Sequence, residues 1–130
     1  MKHEGEIAYD LLLSETDPNL VSFEIDCGWM TVAGYSPARY LREHPSRFVM
    51  LHIKDFLPVS NSHQPVDPDS CVSVELGNGF IDYEPIFQAA REARIRHYFV
   101  EQEGPFTRMP SLQAARVDYD YLEARLLQPD

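Results

Sequence analysis

The sequence is short of positive charge: 11 lysines and arginines stand against 21 aspartates and glutamates, a formal net charge of −10 at pH 7. Binding to a nucleic-acid backbone depends on clustered Lys and Arg that displace counterions, so this balance argues against a nucleic-acid partner. Cysteine is scarce as well. Cys27 and Cys71 form no CxxC pair and no spaced framework, which excludes a disulfide scaffold and a zinc knuckle and fits a reducing compartment. Apolar runs fall far short of the roughly 20 residues needed to span a bilayer, and Met1-Lys2-His3-Glu4-Gly5 lacks the apolar core of a signal peptide. The expectation is a soluble, cytoplasmic chain with no membrane partner.

What is present is enough for one domain or one piece of a larger one, since 130 residues with 44% hydrophobic content and 12% aromatics can form a core. Residues 7–13 read as a short helix, ended by the breaker Thr16-Asp17-Pro18-Asn19. Over residues 20–26, Val21, Phe23 and Ile25 alternate with Ser22, Glu24 and Asp26, the period of a strand whose two faces meet different surroundings. Ser36 as N-cap and Pro37 at the first helical position start a helix that runs to about Glu43. Residues 47–55 repeat the strand pattern, with Val49, Leu51 and Ile53 on one face and Met50, His52 and Lys54 on the other. Residues 56–80 form a long loop closed by Gly77-Asn78-Gly79, read as a lid. Asp82 caps a helix over about 83–94. A third strand spans 97–102, with Tyr98 and Val100 on one face and Phe99 and Glu101 on the other. Ser111 caps a last helix whose buried side is Leu112, Ala115, Tyr119, Leu122 and Leu126.

Helices alternate with strands and no tight hairpin joins the strands, which predicts right-handed crossovers, a parallel sheet and the α/β class. In an open doubly wound sheet both strand faces read as apolar; a polar inward face suits the wall of a barrel, whose active site opens at the C-terminal strand ends. By the alternation, Asp26, His52 and Glu101 lie at those ends and on that inward face. Two carboxylates and an imidazole suit a divalent ion such as Mn, Mg, Co or Zn better than a thiolate-preferring metal. Taken singly, each residue has a plainer reading: Asp26 as an N-cap or solvated turn residue, His52 as a hydrogen-bonded core histidine, Glu101 as a charge at the sheet rim. Their shared position on three strands favours the metal.

The motifs Tyr9-Asp10-Leu11-Leu12-Leu13, Phe23-Glu24-Ile25-Asp26-Cys27-Gly28-Trp29, Leu51-His52-Ile53-Lys54-Asp55, Val74-Glu75-Leu76-Gly77-Asn78-Gly79 and Val100-Glu101-Gln102-Glu103-Gly104-Pro105 occur in the order found in one family. In them the chain resembles the C-terminal half of the sugar phosphate isomerase/epimerase family, the xylose isomerase-like TIM barrels. The resemblance implies that residues 1–130 are the C-terminal portion of a TIM (β/α)8 barrel domain, a partial barrel of the last three strands with flanking helices. It also implies a fourth metal ligand, a glutamate of the fifth strand, with no counterpart here, so a fragment or one part of a split protein is expected.

The implied activity is metal-dependent isomerisation or epimerisation of a sugar or polyol by proton transfer next to a carbonyl, through an enediolate. An inosose dehydratase-like lyase on the same site, or a non-catalytic remnant that self-associates or binds a complementing barrel half, are the alternatives. A phosphodiester-cleaving enzyme on the same barrel is disfavoured by the acidic balance. Asp26, His52 and Glu101 become metal ligands, and Glu101 the general base. Lys54, also inward, binds a substrate oxygen or carboxylate, or else snorkels from the strand end. Trp29 stands where ketose epimerases often carry a substrate-facing histidine. Asp55 points the other way and reads as a loop cap, Glu103 has no settled role, and Cys27 reads as a packing residue. The fragment alone is expected to be inactive.

Overall fold

The structure, a computed structural model, describes residues 2–3, 6–57 and 68–126. A short antiparallel pair, β1 (Lys2–His3) and β2 (Glu6–Ile7), leads into α1 (Ala8–Glu15). There follow β3 (Phe23–Asp26), α2 (Cys27–Val32), α3 (Pro37–Glu43), β4 (Phe48–Ile53), β5 (Asp55–Phe56), a single 3-10 turn at Pro68–Ser70 and β6 (Ser73–Val74). The last elements are α4 (Glu84–Glu92), β7 (His97–Val100) and α5 (Ser111–Leu126).

The centre is a parallel sheet of three strands in the order β3-β4-β7, joined by helical crossovers as the strand spacing predicts. Asp26 is level with His52, and His52 with Phe99, so these three side chains share a face. The other face carries Ile25, Leu51 and Ile53, which are fully buried against Leu41 of α3 and Ile86, Phe87, Ala89 and Ala90 of α4. Full burial of each large apolar side chain contributes about 1.5–3 kcal/mol. The Arg42–Glu92 ion pair that joins the same two helices, at 3.1 Å and half exposed, belongs to a type contributing about 0.2–1 kcal/mol. Apolar packing therefore holds the helices to the sheet.

At the N-terminal strand ends, Tyr9 packs edge-on against Phe23 and face to face with Phe48. Arg47 lies over the Phe23 ring with its guanidinium 5.0 Å from the centroid, and its Nη1 donates to the Leu13 carbonyl. That end is closed, leaving the C-terminal end for chemistry.

Several elements depart from the sequence reading. The first strand begins at Phe23 because the backbone N–H groups of Leu20 and Val21 donate to the Asp17 carbonyl, at 3.1 and 2.9 Å, prolonging the turn. A helix not foreseen, α2, starts directly after Asp26. Within the expected loop 56–80, β5 and β6 pair antiparallel; residues 58–67 of that loop lie outside the described residues. The Glu75–Gly79 segment does not behave as a lid. Glu75 is buried, and the N–H groups of Gly77 and Gly79 donate to Asp55 Oδ2 at 3.1 and 3.0 Å, pinning the segment to the strand end.

The last helix also differs: Ser111 is its first residue, and its buried positions are Ala114 and Asp118. Leu112 and Tyr119 of the expected buried stripe are exposed. They border, with Ala115 and Leu122, a cleft of about 690 Å³ opposite Tyr98 and Val100 of β7. The stripe faces the sheet, as its period requires, but the cleft between them is unfilled by the described residues.

Candidate metal centre

Each of the three inward residues is placed by backbone hydrogen bonding. Asp26 ends β3 and is also the N-cap of α2: its Oδ1 accepts from the Trp29 N–H at 2.8 Å, satisfying one of the orphan donors of that helix start. The N-cap reading of Asp26 is thus correct for one oxygen, and the other is turned to the site. Asp26 Oδ2 lies 3.2 Å from His52 Nδ1. Glu101 follows the last residue of β7, but its N–H donates to the Ile53 carbonyl at 3.0 Å, so the ladder continues and keeps its side chain inward. Glu101 Oε2 lies 3.0 Å from His52 Nε2. One potential ligand atom from each of Asp26, His52 and Glu101 falls within 4.8 Å of the others. All three are partly open to solvent, with side-chain exposures of 29%, 24% and 41%, so an incoming ligand can reach them.

Lys54 completes the cluster. Its ammonium contacts Glu101 Oε2 and lies 3.5 Å from Asp26 Oδ2 and 3.8 Å from Glu103 Oε1. The side chain is only 3% exposed, which excludes the snorkelling alternative. Burial opposes its charge, but the hydrogen bond to Glu101 and the charges of Asp26, Glu101 and Glu103 outweigh it and raise its pKa above the ordinary lysine value. In return, the hydrogen bond from Lys54 holds the Glu101 carboxyl below its ordinary value, against desolvation and with help from the Lys54 and His52 charges.

The lysine is fixed from three sides. The Tyr83 hydroxyl, itself buried, accepts from the Lys54 N–H at 3.0 Å and donates to the Lys54 carbonyl at 2.6 Å, which satisfies the backbone where β4 gives way to β5. Gly28 makes room for the stem, since a Cβ there would lie 2.3 Å from Lys54 Cγ. The Trp29 ring, packed on Phe56 with centroids 4.7 Å apart, lies 5.5 Å from the ammonium. Tyr83 and Glu103 were not assigned a role from sequence. Glu103 follows the inward alternation by two from Glu101; Tyr83 acts through its hydroxyl from a helix cap, where spacing carries no signal. Cys27 is fully buried, with its thiol pKa pushed up by burial, in keeping with a packing role. Asp55 points away from the cluster and caps the loop.

The donor set fits a divalent cation. Three carboxylates, of Asp26, Glu101 and Glu103, gather around the Lys54 ammonium and the His52 imidazole, so acidic groups outnumber basic ones in the cluster. A neutral imidazole can donate through one nitrogen only, yet both His52 nitrogens face carboxylate oxygens. Oxygen and imidazole donors of this kind suit Mn, Mg, Co or Zn.

A parallel β/α sheet with a carboxylate-histidine cluster at its C-terminal strand ends is the arrangement seen at the rim of a β/α barrel. The comparisons narrow it. Two crystal structures of sugar phosphate isomerase/epimerase proteins from Parabacteroides distasonis ATCC 8503 superpose on 94% and 99% of the chain. Their TM-scores are 0.70 and 0.73, at 32% and 27% identity. Inosose dehydratases from Geobacillus thermodenitrificans and Clostridium botulinum are 31% and 32% identical over 98 and 90 residues, or 70% and 64% of this chain. The structural neighbours are sugar phosphate isomerase/epimerase proteins of xylose isomerase-like type, and the inosose dehydratases are curated relatives in the same superfamily, so the family resemblance read from the motifs stands. The chain spans about a third of the curated relatives, 33% and 30%, and 37% and 39% of the two solved chains. No protein-family profile matches it.

Proposed function

We propose that this chain carries the metal-binding wall of a sugar or polyol isomerase/epimerase-type enzyme that moves a proton at a carbon next to a carbonyl. The observation that supports it is the convergence of Asp26, His52 and Glu101 from three parallel strands, with ligand atoms within 4.8 Å. Held there, a divalent ion would supply fixed positive charge for the oxygen anion of an enediolate. Glu101 takes the proton from the carbon next to the carbonyl and returns it to the former carbonyl carbon, while the hydroxyl proton passes to the former carbonyl oxygen. Lys54 offers its ammonium to a substrate oxygen. Trp29 provides an apolar face for the carbon skeleton, and with Phe56 keeps water from that side.

A second reading is favoured by the curated relatives, which are inosose dehydratases. In a keto-polyol the same proton abstraction by Glu101 is followed by departure of the hydroxyl on the next carbon, which leaves as water with a proton from the site. Both readings require the rest of a barrel, from further β/α units or a complementing partner, because β3 and β7 each have one edge unpaired among the described residues.

Deuterium exchange separates them. The chain is joined to the remaining two thirds of a solved relative, loaded with Mn and incubated in D2O with ketoses and inososes. Exchange next to the carbonyl that is lost in Glu101→Gln supports the proposal, and a new carbon-carbon double bond marks the dehydratase. Absence of exchange across both substrate classes refutes it.

A further inference from the structure

The Lys54 ammonium sits on the atoms that the proposed metal needs. It contacts Glu101 Oε2 and lies 3.5 Å from Asp26 Oδ2, and these are the same two oxygens that face the His52 nitrogens. A divalent ion and an ammonium cannot share them, because two cations at such separations repel strongly in a partly dry site. A third oxygen lies in reach, Glu103 Oε1 at 3.8 Å. Glu103 is tied to the rim through its N–H, which donates to Ser73 Oγ at 3.2 Å, and its side chain is 54% exposed, so a charge moved to it is better solvated.

The lysine stem has no comparable freedom. Its inner carbons run across Gly28, where a Cβ would lie 2.3 Å from Cγ and 2.9 Å from Cδ, and its backbone is held on both sides by the Tyr83 hydroxyl. Only the outer bonds of the side chain can turn.

We propose that Lys54 is a tethered cation that holds the metal position in the metal-free site and shifts its ammonium to Glu103 when a divalent ion enters. Glu103 is then a positioning residue acting through Lys54, and the pair sets metal affinity. Lys54 keeps the carboxylates from repelling one another in the metal-free chain, and makes the site selective for ions able to displace an ammonium. The inference rests on the proposed metal site and goes beyond it.

Titration of the full chain with MnCl2 tests it, using wild type, Lys54→Met, Glu103→Gln and the double variant, with His52→Ala as the control for the site. Methionine keeps the stem that packs on Gly28 and removes the charge. Lys54→Met binds Mn about tenfold tighter or more and gains more melting temperature from Mn than wild type does. Glu103→Gln binds about threefold weaker than wild type, and in the Lys54→Met background it changes affinity by less than about twofold, because its effect passes through the lysine. Equal or weaker Mn binding by Lys54→Met overturns the inference, as does an equal loss from Glu103→Gln in both backgrounds. Should Lys54→Met fail to fold, Glu103→Gln decides alone: weaker Mn binding supports the shift and unchanged binding overturns it. Binding absent from all the proteins, or unaffected by His52→Ala, refutes the metal site itself and the inference with it.

Discussion

Gly79 and Asp55 meet so closely that no side chain fits between them: the Gly79 N–H donates to Asp55 Oδ2 at 3.0 Å, and a Cβ on Gly79 would lie 2.0 Å from Oδ1 and 2.4 Å from the Phe56 carbonyl. Asp55, fully buried, accepts four backbone N–H groups, from Phe56, Gly77, Gly79 and Ile81. Asparagine can replace one acceptor oxygen but offers an NH2 in place of the other, leaving two backbone N–H donors facing a donor. At about 1–3 kcal/mol for each, Asp55→Asn is expected to lower stability by about 2–6 kcal/mol. Gly79→Ala, which must displace backbone, is also destabilising, by about 1–3 kcal/mol. Urea denaturation checks both, and losses under about 1 kcal/mol would contradict this account of the loop.

Asp118 gives a stability change of the opposite sign. Its pKa is raised by burial, against the pull of the Leu76 N–H it accepts at 2.7 Å and with the nearby charges of Glu75 and Asp55 raising it further. The folded chain therefore holds this proton to a higher pH than the unfolded chain, which releases it near 3.8. Between the two values the folded state binds more protons, so stability falls as pH rises through that window. Asp118→Asn keeps an acceptor oxygen for Leu76 and removes the charge. It is expected to be more stable than the wild type at pH 7 and no more stable below pH 3.8, read from melting curves across pH. A loss of stability at pH 7 would show that the charge has a partner of its own.

The two examples mark where sequence reasoning reached and where it stopped. Strand alternation located Asp26, His52 and Glu101 on one face, because a period of two depends only on the backbone, and the crossover rule then made the sheet parallel. It also turned Asp55 away from the site. It did not reveal that Asp55 gathers three N–H groups from a loop more than 20 residues on, or that Tyr83 bridges the Lys54 backbone, since such contacts depend on tertiary position. The helix after Asp26 was missed because Cys27-Gly28-Trp29 has poor helix propensity and its start is set by the Asp26 side chain. The buried stripe assigned to α5 had the right period, but its facing cleft is not filled by the described residues.

That cleft and the open sheet edges predict self-association. Phe99 is 52% exposed and Leu112 84% exposed, and β7 has an unpaired edge among the described residues. Light scattering of the 130-residue chain is expected to show oligomers, reduced by Leu112→Lys and Phe99→Lys together. A sharply melting monomer would contradict this.

Gly28 tests how the lysine is placed. Gly28→Ala puts a carbon 2.3 Å from Lys54 Cγ and 3.0 Å from Phe56 Cε2, neither of which lies at a free end. A loss of about 1–3 kcal/mol in denaturation is expected; a neutral result would mean that the stem takes another path.

The central claim, that Asp26, His52 and Glu101 form one metal site, is tested most directly by titrating the chain with Mn2+ beside its His52→Ala and Asp26→Ala variants. The account predicts a single site in the wild type that is lost or weakened at least tenfold in each variant. Equal affinity in all three would contradict it.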